Sequence, residues 1–185
     1  MDGYSVMDET EGTDKKVLHF IQENPGCHLR RIRRSMDISM GTVQYQLNKL
    51  EKIGRITSTR RGLYKYYFSS GLFKEKEKEI LQVLTHETAR NILMYIIEQK
   101  APTQTDIVEN IRISARSISW HVRHLVDLQI IREIKDGRFK RYQLNQYDPN
   151  IIITLLKNYY PTVWDKWSVR VVEMFLSLSE SKEIE

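Results

Sequence analysis

The side chains able to do chemistry in this chain are mainly cations, amides and aromatics. Arg30, Arg31, Arg33 and Arg34 stand almost side by side, and Arg60, Arg61 and Lys65 follow. Between residues 28 and 68, ten bases face only Asp37 and Glu51, a net charge of +8. A guanidinium offers a planar fork of donors that matches phosphate or carboxylate, so such a cluster suits a polyanion. The rival reading of a charge run is an ordinary solvated face. Residues 105–142 carry a net charge of +3. Residues 1–14 hold Asp2, Asp8, Glu9, Glu11 and Asp14 without a base, and read as a solvated tail. The global surplus of +5 over 185 residues therefore hides a strongly basic first half.

Other chemistries lack their residues. The chain has no P-loop, Rossmann glycine pattern, His-Glu-x-x-His or calcium loop. His121 and His124 can share a helix face, but no cysteine or carboxylate cluster joins them at ligand spacing, so no metal is expected. No nucleophile–base pair stands out, so neither an enzyme nor a cofactor is expected. The single cysteine, Cys27, excludes an internal disulfide framework. It is either packed beside a turn or, with His28, Arg30 and Arg31 nearby, a redox-sensing thiol. Apolar stretches such as Ile92–Ile97 fall far short of the roughly 20 residues that span a bilayer. The acidic start has no apolar signal region, so a soluble, cytoplasmic protein is expected.

The elements that position these residues occur twice. Displaced by 75 positions, residues 17–69 align without a gap on residues 92–144. Leu18 meets Leu93, Ile21 meets Ile96, Ile32 meets Ile107, Leu50 meets Leu125, and Ile56 meets Ile131. Gly62 meets Gly137, Lys65 meets Lys140, Tyr67 meets Tyr142, and Tyr45 meets Trp120. So long a register predicts two tandem copies of one small fold.

Within the first copy, apolar spacing predicts a helix over 15–24, ended by Asn24-Pro25-Gly26. A second helix over 28–36 turns Leu29, Ile32 and Met36 inward, with arginines between them. Ser39 caps a third, whose buried stripe is Val43, Leu47, Leu50 and Ile53, with Gly54 as the stop. The period then changes to two. Residues 55–59 and 64–68 form a hairpin about Arg61-Gly62. The second copy predicts helices over 88–99, 103–111 and 114–128, then strands over 131–135 and 138–144 about Asp136-Gly137. The fold class is mainly α with small β-hairpin wings.

The third-helix strings Thr42-Val43-Gln44-Tyr45-Gln46-Leu47-Asn48-Lys49-Leu50 and Ser117-Ile118-Ser119-Trp120-His121-Val122-Arg123-His124-Leu125 resemble winged helix-turn-helix recognition helices. Similar strings occur in the MarR/ArsR-like group, especially in archaeal-type regulators built from two winged helices. The resemblance covers residues 15–145. The first copy departs from the commoner pattern with Gln46 where His is frequent, and its second helix is unusually Arg-rich.

That resemblance implies double-stranded DNA as partner and transcription regulation as function, with the third helix entering the major groove. The buried stripe then turns Met40, Thr42, Gln44, Tyr45, Asn48 and Lys49 outward in the first copy. In the second it turns out Arg116, Ser117, Ser119, Trp120, Arg123 and His124. Gln and Asn can pair with adenine, and Arg with guanine or phosphate. The wings add Arg60, Arg61 and Lys65, then Lys135, Arg138 and Lys140. Arg30, Arg33 and Arg34 share a face of the second helix more closely than Arg31 does. The alternative is a protein-docking or architectural module with unselective DNA binding.

The expected organisation is an acidic tail over 1–14, winged-helix domains over 15–71 and 87–145, a helical linker over 72–86, and a C-terminal helical segment over 146–185. The linker's alternating Lys74-Glu75-Lys76-Glu77-Lys78-Glu79 suits a solvated helix start. In the C-terminal segment, Trp164, Trp167, Val171, Met174, Phe175 and Leu178 recur at helical spacing. That stripe folds back on its own chain or pairs with a second copy. A homodimer through these helices is the expectation by analogy.

Overall fold

The computed structural model describes residues 12–180, with side chains described through Arg170. The tail acids Asp2, Asp8, Glu9 and Glu11, and the side chains of Val171, Met174, Phe175 and Leu178, lie outside the described residues. The chain divides into two compact units, residues 1–78 and 79–185.

In the first unit, helix α1 (Thr13–Glu23) is followed by a short strand β1 (Cys27–His28), α2 (Leu29–Met36) and α3 (Met40–Lys52). A hairpin of β2 (Ile56–Arg61) and β3 (Tyr64–Ser69) closes the unit. The strands form one antiparallel sheet in the order β1-β3-β2. The core gathers Val17, Ile21, Cys27, Ile32, Val43, Leu47, Leu50, Ile56 and Tyr67. Full burial of each large aliphatic side chain contributes about 1.5–3 kcal/mol, which is what holds three short helices onto a two-residue strand and a hairpin.

Local chemistry sets the boundaries. Asp37 ends α2 in the left-handed region, at φ 50°, and Ser39 begins α3 as its N-cap. The Thr42 amide donates to Ser39 Oγ at 3.0 Å, which satisfies one of the orphan donors of the helix start. His28 is not helical as expected. It lies in β1, and its Nδ1 accepts a hydrogen bond from the Arg31 amide at 3.3 Å, so it caps α2. Ile53 leaves the expected stripe and stands 59% exposed as the C-cap of α3.

Helix α4 (Glu75–Leu84) crosses the boundary between the units; its Ile80, Leu81, Val83 and Leu84 are buried. The second unit continues with α5 (Glu87–Gln99), α6 (Gln104–Ile111), α7 (Ala115–Asp127), β4 (Ile131–Asp136) and β5 (Phe139–Leu144). From α2 to β5's counterpart β3, each element is reproduced 75 positions later with the same limits, except that β1 shrinks to a single bridge between Thr103 and Arg141. Ser114 caps α7 as Ser39 caps α3, and Arg112 is left-handed at φ 58° where Asp37 is. The buried residues recur as well: Ile92, Ile96, Ile107, Ile118, Val122, Leu125, Ile131 and Tyr142.

Two helices follow, α8 (Pro149–Tyr159) and α9 (Pro161–Glu180). Asp148 caps α8 and Pro149 occupies its first turn, earlier than the apolar pattern suggested. Trp167 is 2% exposed within the chain, and Trp164 meets it edge-on at 5.6 Å. Part of the aromatic stripe is therefore folded back. Among the described residues, no helix is long and apolar enough to cross a membrane.

Candidate nucleic-acid interface

In the first unit, the buried stripe of Val43, Leu47 and Leu50 anchors α3 and turns its other face outward. Gln44, Asn48 and Lys49 are exposed, Met40 is 42% exposed and Tyr45 66%. Thr42 is half-buried, and its hydroxyl lies 2.8 Å from the Ser39 hydroxyl. Gln44 Nε2 donates to Asn48 Oδ1 at 3.0 Å, one turn along the same face. The two amides therefore hold each other.

A groove of about 560 Å³ lies between α3, the start of α2 and the wing. His28, Arg30, Met40, Gln44, Arg60 and Lys65 line it, with Leu63, Tyr64 and Tyr67. His28 and Tyr64 stand 5.6 Å apart by ring centroids, and Tyr66 flanks both at 6.4 Å. Arg30, Arg33 and Arg34 are exposed on α2, whereas Arg31 Nη2 donates to Asn24 Oδ1 at 3.1 Å. At the wing, Arg60 is exposed and Arg61 half-buried.

Two cations of this face have acidic partners. Lys49 Nζ sits 2.9 Å from Asp14 Oδ2. That hydrogen bond, helped by the Lys15 amide, holds the Asp14 carboxyl below its ordinary pKa, and Asp14 raises Lys49. Asp14 belongs to the first turn of α1, not to the solvated tail. Lys65 Nζ sits 2.7 Å from Glu51 Oε2, and Ser58 Oγ donates to Glu51 Oε1 at 2.5 Å. Burial alone would raise Glu51, but these two hydrogen bonds outweigh it and hold its pKa down.

In the second unit, Arg116, Ser117 and Arg123 are exposed on α7, and Trp120 is 65% exposed. Trp120 thus repeats Tyr45 in position and in exposure. Its ring stacks on His124 at 5.7 Å and meets His121 edge-on at 4.8 Å. Burial, with the charges of His86 and His124, pushes the His121 pKa down. Ser119 is half-buried. Its hydroxyl donates to the Ala115 carbonyl and accepts from Gln104 Nε2, each at 2.8 Å, so it ties α7 to α6. On the wing, Lys135 and Arg138 are exposed, Arg138 lies over the Phe139 ring at 5.0 Å, and Lys140 pairs with Glu133 at 2.9 Å.

Sequence reasoning missed His28, Leu63 and Tyr64 as groove residues. A two-residue strand has no periodicity to detect, so the pairing of β1 with β3 that brings His28 to the wing was invisible. Cys27 is wholly buried, and burial pushes its thiol up to about 12, so the redox-sensor reading fails. Among the described residues, no group of three or more His, Cys, Asp or Glu side chains could hold a metal ion.

Three helices followed by a two-stranded wing, with the third helix exposed opposite its buried stripe, define a winged helix-turn-helix protein. Residues 11–81 match the family HTH_HVO_0163_N, described as an N-terminal HTH domain. The chain is similar to an uncharacterized HTH-type transcriptional regulator, MJ1398, of Methanocaldococcus jannaschii, 24% identical over 134 residues. That match covers 72% of this chain and 34% of the relative, so the chain spans about a third of the relative's length. Among solved structures it is similar to apo MarR from E. coli, at 11% identity and TM-score 0.40, covering 57% of this chain and 88% of that one. It is also similar to Lactococcus lactis ZitR in complex with DNA, at 16% identity and TM-score 0.38, covering 80% and 99%.

Proposed function

We propose that the protein is a sequence-specific regulator of transcription that binds double-stranded DNA through both winged helices. The observation that carries this reading is the groove of the first unit. Its walls are the outward face of α3, the Arg-rich α2 and the wing, on a segment of net charge +8. A recognition helix in the major groove beside a cationic hairpin on the backbone uses each of those walls. Gln44 and Asn48 supply the donors and acceptors for base edges, and Arg30, Arg33, Arg34 and Arg60 supply the phosphate contacts. In the second unit, Arg116 and Arg123 on α7 and Lys135 and Arg138 on the wing take the same parts.

Helices α8 and α9 carry a two-fold dimer in this reading, and Val169, 56% exposed, belongs to its surface. The setting is the cytoplasm, on the nucleoid. This reading requires no small-molecule effector.

Selection from a random duplex pool at about 150 mM salt tests the proposal. An enriched motif bound at least about a thousandfold more tightly than scrambled duplex is the expected result. A dimer would select two half-sites. Unselective, steeply salt-dependent binding would instead support an architectural or protein-docking module. Trp120 favours that second reading for the second unit, because a large exposed aromatic on a less charged helix is typical of a protein interface anchor.

A further inference from the structure

The first wing ends in a residue that its fold does not need. Arg61 pairs with Tyr64 and Arg60 with Lys65, so Gly62 and Leu63 alone make the turn. Gly62 takes the positive φ, 55°, that such a tight hairpin requires. The β pairing runs right up to the turn. Leu63 stands at that tip 92% exposed, the most exposed large apolar side chain among the described residues.

Packing does not account for a leucine there. The second wing makes the equivalent turn with Gly137 and Arg138, so the backbone accepts a charged side chain at this position. Two further facts bear on what Leu63 meets. It lines the same groove as Met40, Gln44 and Arg30, so a ligand seated on α3 reaches it. Behind it the wing carries Arg60, which is exposed, Arg61, which is half-buried, and Lys65, which Glu51 holds. An apolar point carried on cations suits a surface that is anionic outside and apolar inside, as duplex DNA is between its phosphate ridges and its stacked bases. Apolar wedges of this kind enter the minor groove, unstack a base step and kink the duplex.

We propose that Leu63 is such a wedge. Resting on the duplex-DNA reading above, it enters the minor groove next to the major groove occupied by α3, opens one base step and bends the DNA. The step it selects is a flexible pyrimidine–purine one, such as TpA, because that step costs least to unstack. Leu63 thereby adds sequence preference without a hydrogen bond to any base.

The test uses the full chain with end-labelled duplexes of about 30 bp carrying the selected motif, or a mixed sequence if selection yields none. Each duplex places TpA or ApA at the position under the wing. Energy transfer between the ends reads the bend, and anisotropy reads the affinity. Wild type should bend the TpA duplex by at least about 20° and prefer it about fivefold or more over ApA. Leu63→Ala and Leu63→Arg should still bind, the latter through the residue the second wing already uses. Both should lose the bend and bring the TpA preference near one. Wild type saturating an unbent duplex would overturn the wedge, as would an unchanged bend in both variants. Failure of wild type to bind any duplex would refute the DNA reading itself, and the wedge with it.

Discussion

Neutralising the exposed cations of one unit at a time separates binding by both winged helices from binding by one. In the first unit Arg30, Arg33, Arg34 and Arg60 are exposed, while Lys49 and Lys65 are held by Asp14 and Glu51. In the second unit Arg116, Arg123, Lys135 and Arg138 are exposed, while Lys140 is held by Glu133. A cation already paired with a carboxylate brings little new neutralisation to a phosphate. If both units bind duplex DNA as proposed, each would offer about four phosphate contacts. The affinity exponent in salt is about −0.9 per contact, so one unit gives a slope of about −3.6 and two give about −7. Between 50 and 200 mM salt, affinity should fall about 150-fold with one unit engaged and about 20,000-fold with both.

The assay is anisotropy titration of a labelled duplex of about 30 bp across that salt range. The proteins are wild type and two fourfold alanine variants, one for each set of exposed cations. These side chains are at the surface, so each substitution should change stability by no more than about 0.5 kcal/mol. Wild type should give the steeper slope, and each variant about half of it. A wild-type slope near −3.6, left unchanged by neutralising the second unit, would refute the claim that both units touch DNA.

Three other predictions concern paired or buried groups. Asp14→Asn should release Lys49, steepen the salt slope by up to about one unit and strengthen binding at low salt; an unchanged slope and affinity would mean that Lys49 does not meet phosphate. Cys27 should resist thiol reagents in the native protein at pH 8 and react only on unfolding, and rapid native labelling would contradict its burial. Its folded pKa of about 12 lies above the ordinary 9.0. Its contribution to stability is therefore complete below pH 9 and is lost as pH rises from 9 toward 12, which denaturant midpoints across that range would read.

What the sequence revealed depended on how far each signal extends. The stripe Val43, Leu47 and Leu50, spread along the thirteen residues of α3, located that helix and its outward face. The 75-residue register carried the same reading into the second unit. Single residues at element ends were less legible. Ile53 continues the apolar spacing, but the helix ends before it and the side chain is left exposed. Ser119 lies on the outward arc of α7, yet the neighbouring α6 supplies Gln104 and takes up its hydroxyl. Asp14 looked like the end of an acidic tail until α3 brought Lys49 within 2.9 Å. The outcomes at Ser119 and Asp14 depend on a partner distant in sequence, which periodicity does not encode.

The recurrence also separates what the fold requires from what was free to change. Backbone geometry is kept even where its easiest residue is not. Gly54 is left-handed at φ 72°, and Gln129, its counterpart, holds φ 56° at the steric cost a side chain brings there. The residues that form the first unit's core cluster likewise have apolar counterparts 75 positions on, Val43 and Leu47 with Ile118 and Val122 among them. The outward positions differ: Gln44 against Ser119, Asn48 against Arg123, and Leu63 against Arg138. A scaffold held this closely while its recognition face diverges would present two different surfaces to a partner. On duplex DNA that means unlike sub-sites for the two winged helices, one read by amides and pried by an apolar tip, the other contacted by guanidinium groups. An operator selected by the full chain should therefore be asymmetric within each half-site, and a perfect direct repeat of one short motif would contradict that division.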